Sequence, residues 1–244
     1  MTESNMLLSR IIGHRGNASQ APENTLASIR KAHEADAQWV EIDVVLLGDG
    51  NLVIHHDQSL RRCTNGKGRL LRSNLETIRK LDAGSWFSPD FAGERIPTLV
   101  EALTLIQELG LGLNLEIKMH RHPVKALVEP VIATLREHWK DKDKLILSSF
   151  SHEALLQCHA LAPEFRLGHL FEKLPRNWLS RVRDVNAVTV HVDCKRLREA
   201  RAREVIAEGY ELYCYTVNKP KVAEKLWCWG VKGIFTDRPQ DFVG

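Results

Sequence analysis

Residues 39–47 have the sequence WVEIDVVLL and are followed by the turn-forming sequence GDG at 48–50. This apolar stretch is rich in β-branched residues and predicts a β-strand. Side chains alternate along a strand, so Glu41 and Asp43 point to one face and the apolar side chains between them to the other. Two unpaired carboxylates buried there would each cost on the order of several kcal/mol. We therefore expect either a divalent cation or lysine and arginine side chains to face them.

Length and composition indicate an ordinary globular protein. The chain has 244 residues, of which 43% are hydrophobic and 27% charged, and single α/β barrels are often of this size. The net charge of +3 is too small to indicate nucleic-acid binding, and no basic patch is interleaved with aromatic residues. The five cysteines are scattered and lack CxxC spacing, which favours reduced thiols in a cytoplasmic protein.

No membrane-targeting pattern is present in the sequence. The segment Met1–Asn5 has no basic region and no long apolar run after it, so we expect no signal peptide. No run of about 18 apolar residues predicts a membrane-spanning helix. We therefore expect a cytoplasmic protein with no membrane partner and no nucleic-acid partner, and a homo-oligomer stays open.

Strand and helix patterns alternate along the chain. The predicted barrel strands are 8–13, 39–47, 113–118, 145–149, 166–171, 187–192, 211–217 and 233–236, and the clearest helices are 22–35, 98–109, 123–138, 152–161, 197–208 and 219–229. Eight strand–helix units predict a closed parallel (β/α)8 barrel, the TIM-barrel fold, as a single domain over residues 1–244. Residues 48–97 are then an insertion after the second strand, with a further strand at 51–56 and a short helix at 75–81.

Polar residues recur on one face of several predicted strands. Glu116 and Lys118 alternate with apolar residues in the third barrel strand, and His191 does so in the sixth. His14 follows the first strand. Inward and outward side chains alternate in a barrel, and active sites lie at the C-terminal ends of its strands. We therefore expect these groups to converge on one mouth of the barrel.

Five short motifs lie at predicted strand ends or in the adjoining loops. They are, in order, His14-Arg15-Gly16, Pro22-Glu23-Asn24-Thr25, Glu41-x-Asp43, His56-Asp57 and Glu116-x-Lys118. Together they resemble the glycerophosphodiester phosphodiesterases, and the resemblance is closest to the bacterial cytosolic enzymes. It extends over nearly the whole chain, with further matches at GSWF (84–87), TVNKP (216–220) and FTD (235–237). One departure is Tyr215, which stands where a tryptophan of the pocket wall is expected.

The resemblance implies metal-dependent hydrolysis of a small-molecule glycerophosphodiester to glycerol 3-phosphate and an alcohol, with Mg²⁺ or Ca²⁺ as the cofactor. The implied site residues are Glu41, Asp43 and Glu116 for the metal, His14 and His56 for acid/base catalysis, and Arg15 and Lys118 for the phosphate. Two histidines that titrate near neutral pH can take and give the protons that breaking a P–O bond requires. Which histidine is the acid stays open, as does attack by water or by the substrate's 2-hydroxyl.

Some residues near the motifs have two interpretations. Glu23 and Asn24 either cap the first helix or orient a metal ligand from behind. Trp86 and Phe87 are predicted to contact the glycerol end of the substrate, and the alternative is that they form the core of the insertion. His191 is predicted to take part in the substrate pocket.

Other basic residues are interpreted as structural or solvent-exposed. His55 points away from His56 on an extended segment, which favours a structural role for it. The insertion also carries a basic cluster, for which a solvated loop is the favoured interpretation: Arg61, Arg62, Lys67, Arg69 and Arg72.

Three other functions compete with this prediction. A lysophospholipase D-type enzyme of the same fold would need exposed apolar loops or an anchor, whereas the insertion carries arginines and lysines. A non-enzymatic binding protein would be expected to lack a histidine or a carboxylate of the motifs. A sugar-phosphate isomerase or aldolase would need a glycine loop for phosphate after the seventh and eighth strands, and NKP at 218–220 is a poor one.

Overall fold

The computed structural model of the protein describes residues 7–242. Met1–Asn5, where the sequence predicts no signal peptide, lies outside the described residues. The strands are β1 (Ile11–His14), β2 (Trp39–Leu46), β3 (Leu52–Ile54), β4 (Gly112–Ile117), β5 (Leu145–Ser149), β6 (Arg166–Phe171), β7 (Thr189–Asp193), β8 (Glu211–Tyr215) and β9 (Gly233–Thr236). The helices are α1 (Leu26–Glu34), α2 (Leu75–Ile78), α3 (Leu99–Glu108), α4 (Val124–His138), α5 (His152–Leu161), α6 (Trp178–Asp184), α7 (Glu199–Ala207) and α8 (Pro220–Cys228).

All strands except β3 form one closed parallel ring. Each strand pairs with the next in the order β1, β2, β4, β5, β6, β7, β8 and β9, and β9 pairs back with β1. The surrounding helices complete the predicted TIM barrel, which is confirmed. Strand β3 lies outside the ring and pairs antiparallel with the C-terminal part of β2. In the part of the chain from 7 to 242, no helix is long and apolar enough to cross a bilayer.

Strand β2 is buried along its whole length and has two different faces. Its even-numbered residues, from Val40 to Leu46, belong to the main apolar core between the barrel and the helices. Glu41 and Asp43 lie on the opposite face, toward the barrel interior. Val45 and Leu47 continue that second face beyond the ring, where they join a separate apolar cluster in the insertion. One alternating pattern therefore builds the core, the polar interior and the anchor of the insertion.

The insertion between β2 and α3 has a small core of its own. Its apolar cluster consists of Val45, Leu47, Val53, Leu60, Leu70, Ile78, Ala83 and Ile96. Helix α2 is capped by Asn74, whose side chain accepts a hydrogen bond from Thr77 N, and such a cap satisfies one of the free N–H groups of the first turn. This core holds the insertion against the edge of the barrel, and the assignment of one domain to the whole chain stays a prediction.

The interior of the barrel changes from apolar to polar along its axis. Large side chains fill one half of it, namely Leu8, Ile12, Trp39, Ile146, Tyr213 and Phe235. Phe235 also lines the cavity that opens at the C-terminal ends of the strands. The apolar cluster therefore forms the floor of that cavity.

Candidate active site

Strand register brings three carboxylates together at the C-terminal mouth. Asp43 on β2 lies opposite Glu116 on β4, and Glu41 lies opposite His14 on β1. One ligand oxygen each from Glu41, Asp43 and Glu116 lies within 4.8 Å of the others. All three residues are buried, with relative exposures of 3%, 1% and 7%. The predicted metal residues therefore form a compact, buried cluster of oxygen donors.

The charges around this cluster fit a hard divalent cation. Burial and the neighbouring carboxylates raise the pKa of Glu41 well above its ordinary value, and burial raises the pKa of Glu116 to about 7. Glu41 Oε1 is buried and has no hydrogen-bond partner in the described part of the chain. When fully ionised, the three carboxylates exceed the charges of the arginine and the lysine that contact them by one negative charge, and a divalent cation would reverse the sign of this net charge. Carboxylate oxygens are the ligands that Mg²⁺ and Ca²⁺ prefer.

Lys118 and Arg15 supply those two positive charges. Lys118 Nζ lies 2.7 Å from Glu116 Oε1 and 3.4 Å from Asp43 Oδ1. Arg15 Nε lies 3.5 Å from Asp43 Oδ2. Burial alone would lower the pKa values of both side chains, but the carboxylates hold them above their ordinary values. Both groups therefore stay charged, and both line the cavity.

The turn at Arg15 depends on the glycine that follows it. Arg15 N donates a hydrogen bond to Glu41 Oε2 at 3.0 Å. Gly16 has a φ of 83°, and a Cβ atom on it would lie 2.5 Å from the carbonyl carbon of Ser28. A side chain at this position would be strained and would clash with helix α1. The His-Arg-Gly motif thus holds a backbone N–H and a guanidinium close to the carboxylates.

Asn24 orients Asp43 from behind. Its Nδ2 donates to Asp43 Oδ2 at 2.8 Å, and its Oδ1 accepts from Asp43 N at 3.1 Å. Thr25, not Asn24, is the N-cap of α1. Glu23 accepts a hydrogen bond from Arg15 Nη1 at 2.7 Å and acts on the cluster through that arginine. Glu23 and Asn24 thus contact residues of the site, and neither of them is the N-cap of α1.

His14 is held by a carboxylate to which the sequence motifs assigned no role. Its Nδ1 lies 2.6 Å from Asp237 Oδ1. Asn218 donates to Asp237 Oδ2 at 2.6 Å and accepts from Asp237 N at 2.9 Å. Both residues follow barrel strands, β9 and β8, so the rule that polar groups gather at strand ends could have found them. The opposite ring nitrogen of His14 lies 4.0 Å from Glu41 Oε2.

His56 is held from the insertion side. Its Nδ1 lies 2.7 Å from Asp57 Oδ1, and its carbonyl oxygen lies 2.8 Å from His120 Nε2. Burial lowers the pKa of His56 to about 4, and the Arg15 and Lys118 cations act in the same direction against Asp43. His55 is buried, with its ring 3.2 Å from the carbonyl oxygen of Ser59. The two adjacent histidines therefore face different surroundings, because His56 lines the cavity and His55 is buried against Ser59.

The polar groups line a cavity of about 290 Å³ at the barrel mouth. Its lining includes His14, Arg15, Glu41, His56, Glu116 and Lys118 on one side. The other wall contains residues to which the sequence assigned no role, among them Phe150, Leu170, Asp193, Lys195 and Thr216, together with Tyr215 at the position of the expected tryptophan. Both histidines therefore face the same space as Arg15 and Lys118.

Three predicted substrate residues do not line this cavity. Trp86 and Phe87 contact one another in the insertion, where Phe87 also contacts Phe91. His191 is fully buried beneath the cavity, with Nε2 2.9 Å from Thr189 Oγ1. Large aromatic side chains such as Trp86 and Phe87 can belong to a pocket or to a core, and so can an inward-facing residue such as His191. The sequence pattern alone therefore could not decide between a pocket and a core. Their predicted contact with substrate has no support from the cavity lining.

The chain is similar to known proteins over nearly its whole length. The sequence matches the Glycerophosphoryl diester phosphodiesterase family over residues 14–241. A glycerophosphodiester phosphodiesterase of Caldanaerobacter subterraneus subsp. tengcongensis is 35% identical, with 96% of each chain covered. One of Bacillus subtilis is 32% identical over 95% of this chain and 84% of its own length.

A solved structure extends the similarity to three dimensions. It is an Oleispira antarctica phosphodiesterase in complex with the product sn-glycerol-3-phosphate, with 37% identity and a TM-score of 0.94. The match covers 96% of this chain and 95% of that one. The chain therefore belongs to the glycerophosphoryl diester phosphodiesterase family and is an enzyme of that class, a phosphoric diester hydrolase.

Proposed function

We propose that this enzyme hydrolyses glycerophosphodiesters to glycerol 3-phosphate and an alcohol, with His14 and His56 as the acid/base pair and a divalent metal ion as the cofactor. The observation that carries the proposal is that both histidines line one cavity with Arg15, Lys118 and two members of the carboxylate cluster, Glu41 and Glu116. The bound sn-glycerol-3-phosphate of the Oleispira antarctica relative supports glycerol 3-phosphate as the product here.

Glu41, Asp43 and Glu116 would hold the metal ion, Mg²⁺ or Ca²⁺. The bound ion would supply positive charge opposite the negative charge that grows on the phosphoryl oxygens. The support is the short separation of the three carboxylates and the unpartnered oxygen of Glu41.

Arg15 and Lys118 would bind the phosphate itself. Both are charged and line the cavity. A guanidinium can donate two parallel hydrogen bonds to phosphate, and an ammonium acts as a point charge. Their carboxylate partners orient them before substrate arrives, so the substrate would meet positive charge that is already in place.

The two histidines would transfer the protons. Each has Nδ1 against an aspartate, at 2.6 Å in His14 and 2.7 Å in His56. A carboxylate at Nδ1 favours the tautomer with its proton there, which leaves Nε2 to accept or donate a proton at the substrate. One histidine would take a proton from the attacking oxygen, and the other would give one to the leaving alcohol.

We also infer that the enzyme acts in the cytoplasm on small-molecule substrates. The support is that Cys63, Cys158, Cys194, Cys214 and Cys228 are all free, as is usual in a reducing compartment.

The metal requirement is tested by chelation. Treatment with EDTA should abolish the release of glycerol 3-phosphate, and Mg²⁺ or Ca²⁺ should restore it. Glu41→Gln should weaken metal binding in calorimetry, whereas the exposed control Glu76→Gln should bind as wild type. Full activity in chelator, or unchanged metal affinity in the Glu41 variant, would refute the metal site.

The substrate class is tested by comparing three diesters. We expect turnover of glycerophosphocholine and glycerophosphoethanolamine and little turnover of lysophosphatidylcholine. The insertion carries a cluster of arginines and lysines, which is a poor surface for the acyl chain of a lysolipid. A clear preference for lysophosphatidylcholine would replace the proposed activity by that of a lysophospholipase D-type enzyme.

A further inference from the structure

Arg62 of the insertion forms two double hydrogen bonds behind the cavity. Its Nε and Nη2 donate to the two carboxylate oxygens of Asp57 at 2.7 and 3.0 Å. Its Nη1 and Nη2 donate to the two carboxylate oxygens of Glu23, both at 2.7 Å. One guanidinium therefore joins a carboxylate of the insertion to a carboxylate of the barrel.

Each of these carboxylates holds a different residue of the cavity. Asp57 is bound to His56 Nδ1 at 2.7 Å. Glu23 is bound to Arg15 Nη1 at 2.7 Å. The chain of contacts thus runs from a histidine of the proposed acid/base pair, through Arg62, to a cation proposed to bind phosphate.

We propose that Arg62 is a positioning residue of the phosphodiesterase reaction, which fixes His56 through Asp57 and Arg15 through Glu23. The inference rests on the proposed function, because it gives both held residues a role in turnover. Arg62 itself does not line the cavity, so it acts through its two carboxylates and not on the substrate.

Loss of Arg62 would release both carboxylates at once. Glu23 and Asp57 share the same Nη2 group and are therefore close neighbours. Like charges in contact repel one another when the cation between them is removed. In support, hydrogen bonds from Arg62 keep the pKa of Asp57 below its ordinary value, and they help to hold the pKa of Glu23 at about 2 despite burial. Both carboxylates would then swing away from the positions that orient His56 and Arg15.

The geometry requires a guanidinium and not merely a positive charge. Arginine presents its N–H groups in a planar fork, whereas lysine has one ammonium on a flexible stem. A lysine at this position could bind one carboxylate at a time and would leave the other without its cation. Lysine at 62 should therefore preserve the charge of the insertion but not the double attachment.

The neighbouring Arg61 offers a matched control. It is exposed, and among the described residues its side chain makes no ion pair with a carboxylate. Arg61→Ala removes the same charge from the same loop as Arg62→Ala. Any effect of net charge on substrate attraction therefore appears in both variants, and an effect of positioning appears only in the second.

The experiment compares kcat at saturating substrate and metal in Arg62→Ala, Arg62→Lys and Arg61→Ala, with melting temperatures measured alongside. Groups that support an active-site residue from behind are typically worth about 10–100-fold, and we expect Arg62→Ala to lose this much kcat. Arg62→Lys should recover little of it, and Arg61→Ala should have the wild-type kcat. Because Arg62 is partly exposed, guanidinium at low concentration should restore part of the kcat of Arg62→Ala, and ammonium should not.

A structural role and a positioning role give different results. If Arg62 only tethers the insertion, Arg62→Ala lowers the melting temperature but keeps its kcat below that temperature, and the inference is overturned. Equal kcat in the Arg61 and Arg62 alanine variants overturns it as well. The proposed function fails separately, if His56→Ala keeps its turnover. An inactive His56→Ala together with an unaffected Arg62→Ala therefore refutes the positioning role alone.

Discussion

The two histidines of the cavity are held by carboxylates of different origin. His14 is bound by Asp237, which follows β9, and Asp237 is bound by Asn218, which follows β8. His56 is bound by Asp57, which lies in the insertion and is bound by Arg62. The first arrangement is built entirely from strand ends of the barrel, and the second from a loop that the barrel carries.

This difference affects both rigidity and charge. The register of neighbouring strands sets the positions of His14, Asn218 and Asp237. Asn218, the partner of Asp237, is neutral. The residues around Asp57 depend on ion pairs of Arg62, whose side chain is 45% exposed. A carboxylate that is partly neutralised by a guanidinium stabilises a neighbouring imidazolium less. We infer that Asp237 supports its histidine by charge and position, and Asp57 mainly by position.

The largest effect is expected when either histidine is removed. His14→Ala and His56→Ala should each lower kcat by about 10²–10⁴-fold, the usual range for general acid/base catalysis. Release of glycerol 3-phosphate at saturating substrate measures the loss. His55→Ala is the control and should keep its turnover, because the His55 ring faces Ser59 and not the cavity. Equal loss in the His55 and His56 variants would contradict the assignment.

A nitrophenyl leaving group should separate the two histidines. Nitrophenolate leaves without a proton, so an enzyme that lacks only its general acid should recover activity on such a diester. The low pKa of His56, about 4, leaves its ring neutral at neutral pH, which is the protonation state that a general base requires. We therefore expect His14→Ala to recover and His56→Ala not to recover. Recovery of His56→Ala alone would exchange the two roles.

A smaller effect is expected when the aspartates are neutralised. Partners behind an active-site residue are worth about 10–100-fold, and we expect Asp237→Asn to lie near the upper end and Asp57→Asn near the lower end. Among residues 7–242, no lysine or arginine side-chain nitrogen lies within 4.0 Å of the Asp237 carboxylate oxygens, whereas Arg62 binds Asp57 at two oxygens. The measurement is kcat for both variants under the same conditions. A larger loss in Asp57→Asn would show that the insertion supplies charge as well as position.

The barrel could be predicted because its signals are local and periodic. The alternation in β2 separates Glu41 and Asp43 from the apolar residues between them, and the strands β5, β6 and β9 have the predicted bounds. Helix α6 was not named, since it has only seven residues and four of its positions, 181–184, carry three charged side chains. Local periodicity is informative over long elements and weak over short ones.

The partners of the site residues could not be predicted in the same way. The contact of His14 with Asp237 joins residues 223 positions apart, and no local pattern encodes it. Arg62 lies in a run of basic residues whose favoured interpretation was a solvated loop, and only the folded insertion shows which of them turns to the carboxylates. Side-chain pairing across elements depends on the complete fold, whereas the metal carboxylates required only the alternation of two strands.

The smallest effect on activity is expected at His191, a third inward-facing histidine that no carboxylate holds in the described part of the chain. Burial among Thr189, Tyr213 and Phe235 lowers the pKa of His191 to about 3. In the unfolded chain a histidine has a pKa near 6.5. Below that value the unfolded chain binds a proton that the folded protein excludes, so stability falls as the pH falls from about 6.5 toward 3.

His191→Gln keeps a hydrogen-bonding group for Thr189 and removes the titration. Between about pH 7 and pH 5, linkage predicts that wild type loses about 2 kcal/mol of unfolding free energy that the variant keeps. Urea unfolding of both proteins at the two pH values measures this difference, and kcat of the variant at neutral pH should equal that of wild type. Unchanged pH dependence would show that His191 is protonated or hydrated in the folded barrel. A large loss of kcat with unchanged stability would instead support the predicted contact with substrate, and the cavity would then reach below Phe235.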